Sequence, residues 1–158
     1  MTSIDQIATL ATFGSVWAVL AVGHNLADHV IGQTDRQAEG KAAPSAAEIA
    51  DGASPRRGWD TCLRHVAQYH LVMAVILALV WGVLPLQMSW SGLVAGLAVS
   101  AATHAFFDRR WPVRWLLEHV GSKGFAELKA AGMNGMYLTD QALHQTALLV
   151  SALLITLL

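Results

Sequence analysis

Three stretches of this chain pair an imidazole with a carboxylate four residues away. His24-Asn25-Leu26-Ala27-Asp28 and His104-Ala105-Phe106-Phe107-Asp108 run in one direction, and Asp140-Gln141-Ala142-Leu143-His144 runs in the other. On an α-helix, residues i and i+4 stand one turn apart on one face, so each pair can aim two ligand-type side chains at one target. Imidazole with carboxylate suits zinc, manganese or iron, and carboxylates able to bridge open the way to one or two ions. His65 is a fourth imidazole of the same kind, with Arg64 beside it.

The elements that must position these groups read as membrane spans. Of the 158 residues, 54% are hydrophobic and only 13% charged, which is wrong for an ordinary soluble domain. A formal net charge of -1 and the lack of any Lys/Arg-rich run exclude a strongly basic nucleic-acid binder. The single cysteine, Cys62, excludes a disulfide scaffold. Asp5, with no Lys or Arg ahead of the first apolar stretch, argues against a secretory signal peptide, so the first segment is expected to stay in the mature protein.

Taken in order, the apolar runs predict four spans of a single transmembrane domain over residues 1–158, at about 7–28, 62–84, 89–108 and 137–158. The fold class expected is all-α, an integral membrane four-helix bundle. Gly92, Gly96 and Ser100 form a small-residue stripe that lets another helix approach the third span closely. The loop 33–60 is rich in Ala, Gly, Pro and Ser and reads as flexible, with a short helix near Ala46 to Ala50. In the loop 109–136, Pro112 starts a short amphipathic helix whose apolar face is Val113, Leu116, Leu117 and Val120. Trp111 and Trp115 flank it and mark it as interfacial.

All ten Lys and Arg residues fall in these two loops or at their helix junctions. By the positive-inside rule both loops are cytoplasmic and both termini lie on the other side. Counted at about 1.5 Å per residue, His24, His65, His104 and His144 then lie about 21 to 29 Å from the far ends of their spans. Four histidines from four helices arrive at one depth, near the cytoplasmic boundary. Ionisable groups inside a bundle are costly and normally mark function.

The metal ligands expected on this reading are His24, Asp28, His65, His104, Asp108, Asp140 and His144. Against it stands a structural His/Asp hydrogen-bond network; haem ligated by two histidines would leave the aspartates without a role. His29, His70 and His119 lie off the shared face or on the surface helix and are assigned ordinary interfacial or hydrogen-bonding roles.

The order His24-x3-Asp28 with Gln33, a Lys-containing polar loop, Leu63-x-His65 with Tyr69, His104-x3-Asp108 and Asp140-Gln141-x2-His144 resembles a bacterial membrane-protein family, the domain of unknown function 3307. The likeness covers nearly all the chain, which departs from the pattern in its long Ala/Pro-rich first loop and in the Gly-Met-Asn-Gly-Met-Tyr stretch before the last span. It implies a multispanning inner-membrane protein with no established reaction. More distantly, the pairs look like those of membrane-bound metal-dependent hydrolases. The function expected is therefore metal-dependent hydrolysis, with Asp28, Asp108 or Asp140 as general base toward metal-bound water. Arg64, Arg109 and Arg110 would hold the phosphate or carboxylate of an anionic amphiphile. The alternative is a non-enzymatic membrane protein whose cluster is structural or senses metal and couples to a partner.

Overall fold

The computed structural model describes residues 3–31 and 33–158, and the described residues are mostly helical. The first helix, α1 (Ile4–Leu26), starts earlier than the apolar run because Ser3 and Gln6 form a reciprocal capping box that satisfies its first free N–H groups. It passes without a break into a π-helical turn, Ala27–Ile31. Two short helices follow in the loop expected to be flexible. Both α2 (Asp35–Gly40) and α3 (Ala46–Ala50) open with a capping box, Thr34/Gln37 and Ser45/Glu48 respectively. The Glu48 carboxyl is held down at about 2, first by the Ser45 backbone N–H and then by the Arg57 guanidinium.

The next two helices are long: α4 (Trp59–Val83) and α5 (Trp90–Asp108). Beyond them come α6 (Trp111–His119), α7 (Lys123–Ala126) and a two-residue antiparallel ladder of β1 (Lys129–Ala130) and β2 (Met133–Asn134). The hairpin, absent from the sequence reading, turns through Ala131 and Gly132, both at positive φ. On α6, Val113 and Leu117 are buried as expected, but Val120 is 72% exposed because the helix has already ended at His119. The last helix, α8 (Gly135–Leu157), is capped by the Asn134 side chain.

Among the described residues α1 with its π turn, α4 and α5 are long and apolar enough to cross a membrane. Helix α8 is as long as α1 but carries Asp140, Gln141, His144 and Gln145 in its first half. The core is formed by Val16, Leu20 and Ala27, by Tyr69, Met73 and Leu77, and by Leu148, Ala152 and Ile155. Helix α5 contributes closeness rather than bulk. Its buried residues are Gly92, Gly96, Ser100, His104 and Asp108, one every four positions. A Cβ on Gly92 would lie 2.8 Å from the Ile155 carbonyl oxygen, and one on Gly96 2.7 Å from that of Ser151. The small stripe is thus the seat of α8, and the same line of positions ends in the two polar residues of the site. Away from the core, α4 presents Leu71, Val75, Leu79 and Val83 as an exposed apolar face.

Candidate metal centre

At one end of the four long helices the buried apolar layer gives way to a polar one. His24, Asp28, His65, His104, Asp108 and His144 all lie there, none more than 2% exposed. Two overlapping triads have one ligand atom per residue within 4.8 Å of the others: Asp28, His65 and His104, and His104, Asp108 and His144. His104 belongs to both.

The distances are those of converging ligands. His65 Nε2 is 3.0 Å from Asp28 Oδ1 and 3.5 Å from Asp108 Oδ2, while His104 Nε2 is 3.2 Å from Asp108 Oδ2. The two Nε2 atoms are 3.1 Å apart, a hydrogen bond when one of them carries a proton. Two ligands at zinc–nitrogen distance, subtending a tetrahedral angle, would be about 3.3 Å apart. Among the described residues, Asp28 Oδ1, Gln33 Oε1, His65 Nδ1, Asp108 Oδ2 and His144 Nε2 are buried without an aligned hydrogen-bond partner. The nearest donors to the two carboxylate oxygens are the His65 and His104 imidazoles, at 3.0 and 3.2 Å. A buried polar atom in that state requires an explanation.

His144 supplies the clearest one. Its Nδ1 lies 2.8 Å from the Asp140 carbonyl oxygen, which can only accept, so Nδ1–H donates and Nε2 carries the bare lone pair. A ring fixed by a carbonyl on one nitrogen with the other facing a ligand cluster is the usual state of a metal-binding histidine. Asp140 itself stands outside both triads. Its side chain is 20% exposed, with Oδ2 3.6 Å from His144 Nδ1, on the outer side of the ring.

His24 departs from the expectation more sharply. Its Nε2–H donates to Gln141 Oε1 at 2.9 Å and its Nδ1 accepts from the Tyr69 hydroxyl at 3.0 Å, so both nitrogens are engaged. The His24/Asp28 spacing presumed an unbroken α-helix. The turn widens at Ala27, and Asp28 meets His65 while His24 meets Tyr69 and Gln141. His70 is satisfied twice, donating to the Val66 carbonyl and accepting from Ser100 Oγ. His29 is exposed beside Tyr137, and His119 stacks on Trp115.

Sequence reasoning gave Lys41 no role at the site, yet it is only 7% exposed and its ammonium reaches the cluster. Nζ is 2.7 Å from Asp108 Oδ1 and 3.8 Å from Asp28 Oδ1. Arg109, one of the arginines expected to hold substrate, fixes this loop instead. It donates to the carbonyls of Lys41 and Arg57 at 2.8 and 2.7 Å and lies over the Trp59 ring. Arg110 donates to the Ala38 carbonyl, and Arg64 is exposed beside Asp60. The one signal in the sequence was that Lys41 is the sole lysine of its loop, set among small residues.

Gly58 completes the clamp. Its φ is +85°, and a Cβ there would lie 2.5 Å from the Ala42 carbonyl oxygen, 2.7 Å from that of Gly40 and 2.8 Å from Arg109 Nη1. Gly58→Ala is expected to cost about 1–3 kcal/mol in strain and displacement and to speed amide exchange at Lys41 and Ala43. Unaltered exchange there would mean that Gly58 does not hold the loop.

No family model matches the chain, and no curated protein or solved structure matches it. Among the described residues, fold and site together define an all-α protein with three membrane-length apolar helices and a buried His/Asp cluster that could hold a metal ion.

Proposed function

We propose that this is a four-span membrane protein that binds a divalent metal through Asp28, His65, His104, Asp108 and His144 and uses it to hydrolyse an anionic amphiphile. The observation that carries the metal reading is the pair of overlapping triads, whose buried His and Asp ligand atoms lie within 4.8 Å of one another, with His144 Nε2 buried and unpartnered among them. Histidine with carboxylate suits zinc, manganese or iron.

The membrane reading joins α8 to the three apolar helices as the fourth span. The exposed apolar face of α4 then meets lipid, and Trp111 and Trp115, each more than half exposed on α6, sit at the interface. The concentration of Lys and Arg in the two loops supports a cytoplasmic side for the cluster. The multispanning family resemblance fits this arrangement and is part of the same proposal.

Hydrolysis is the chemistry that the donor set favours: a bound ion lowers the pKa of water, and a nearby carboxylate accepts its proton. Asp28 or Asp108 would be that carboxylate, since Asp140 stands on the outer side of the His144 ring. Arg64, exposed at the start of α4, is the arginine of the three not held by loop carbonyls and so the one open to an anionic headgroup. The burial of all five ligands favours a second reading, a structural or metal-sensing centre without turnover.

The test begins with the protein purified in detergent. Elemental analysis should find stoichiometric divalent metal that a chelator removes with a fall in thermal midpoint. A screen of phosphoesters, amides and lipid esters should find turnover that disappears with the metal. Metal without turnover selects the second reading, and absence of metal after loading rejects both metal readings in favour of a structural hydrogen-bond network.

A further inference from the structure

We propose that the centre is built for a single divalent ion and that Lys41 is its permanent second cation. This rests on the metal reading above and specifies what that site accepts. The two triads look at first like two metal positions, but they share His104, and it offers one nitrogen to both. His104 Nε2 is 3.1 Å from His65 Nε2 and 3.2 Å from Asp108 Oδ2. A neutral imidazole nitrogen has one lone pair in the ring plane and serves one ion. One ion can therefore take His104 at a time, in one triad or the other, and the remaining residues of the other triad are left to a different cation.

In a two-metal centre the ions sit about 3.5–4 Å apart, and carboxylates span them with their two oxygens. Here the second oxygen of Asp108 is engaged: Oδ1 meets the Lys41 ammonium at 2.7 Å, while Oδ2 faces the imidazoles. Lys41 thus stands where a bridged second ion would stand, and with the charge of a cation. Its placement is enforced rather than incidental. Arg109 Nη1 holds the Lys41 carbonyl, the Ala43 N–H donates to the Arg109 carbonyl at 3.2 Å, and Gly58 leaves room for the close approach of residues 40–42.

Charge points the same way. The carboxylates of Asp28, Asp108 and Asp140 are countered in part by Lys41, and one divalent ion brings the cluster to neutrality. A second divalent ion beside the ammonium would add two more positive charges in a poorly solvated space, at high cost.

The test uses the full-length protein in detergent, stripped of metal, loaded with Mn2+ and examined by elemental analysis and electron paramagnetic resonance. One manganese per chain with an uncoupled six-line spectrum is expected. His104→Ala should weaken that ion by more than about tenfold, whichever triad holds it. Lys41→Met vacates the second position, so at millimolar Mn2+ it should take up a second ion and show an exchange-coupled spectrum. Two coupled ions in the wild type, or a Lys41→Met protein that still binds only one, would overturn the proposal while leaving the metal reading intact. Failure of the wild type to bind manganese, zinc or iron would remove the metal reading itself.

Discussion

His104→Ala is expected to lower affinity for divalent metal about a hundredfold or more, enough to leave the purified protein without it. His104 is the residue common to both triads, so its loss takes a nitrogen from the whole ligand set. The change also opens a void. The His104 ring lies 4.1 Å from the Tyr69 ring and 4.4 Å from that of His144, centroid to centroid, so its neighbours lose packing as well as a ligand. A hundredfold loss corresponds to about 2.7 kcal/mol. His70→Ala is the matched control, because both nitrogens of His70 are engaged by Val66 and Ser100, and it should keep its metal. Elemental analysis with a titration against a competing chelator decides the matter. Metal retained at wild-type affinity in His104→Ala would show that the ligands have been misassigned.

The second large effect concerns Lys41. In Lys41→Met the apolar stem is roughly preserved while the ammonium goes, and Asp108 Oδ1, buried and previously paired at 2.7 Å, is left without its cation. Removing one partner of a buried ion pair costs about 3–5 kcal/mol. The metal-free variant should therefore melt well below the metal-free wild type, and loading with Mn2+ or Zn2+ should narrow the gap by supplying positive charge to the same carboxylates. Thermal unfolding in detergent, with and without chelator, measures both differences. Equal midpoints in chelator would mean that the ammonium contributes nothing to stability.

How much of this was legible in the sequence differs from residue to residue, for identifiable reasons. His104 and Asp108 were readable because α5 is an uninterrupted helix, and one spacing of four carries the buried line from Gly92 to Asp108. The Asp140/His144 pair was readable as a pair but not in its geometry. His144 turns its Nδ1 to the Asp140 backbone carbonyl, so the carboxylate stands behind the ring instead of beside the other ligands. Asp28 was found and His24 placed with it by the same spacing, which the widened turn at Ala27 undoes. Lys41 was beyond local pattern altogether: its partners lie 13 residues before it and 67 after it, and only the packing of Arg109 and Gly58 against the loop brings them together. Helix α2 had a local signal in Thr34 and Gln37, but the small-residue composition around it pointed the other way.

The wide turn at Ala27–Ile31 has a further consequence for how this site can change. A π turn is equivalent to one extra residue accommodated without breaking the helix. It works as a phase shifter: Asp28 lies in the widened turn and its carbonyl accepts from the Gln33 side chain at 2.8 Å, while His24 keeps the rotation set by α1. Two polar residues that a regular helix would bring to one target share Gln141, and beyond it Asp28 reaches His65 while His24 reaches Tyr69. Deleting one residue from this turn would restore the regular rotation and merge the two assignments, so a single-codon event separates this site from one in which His24 joins the ligands.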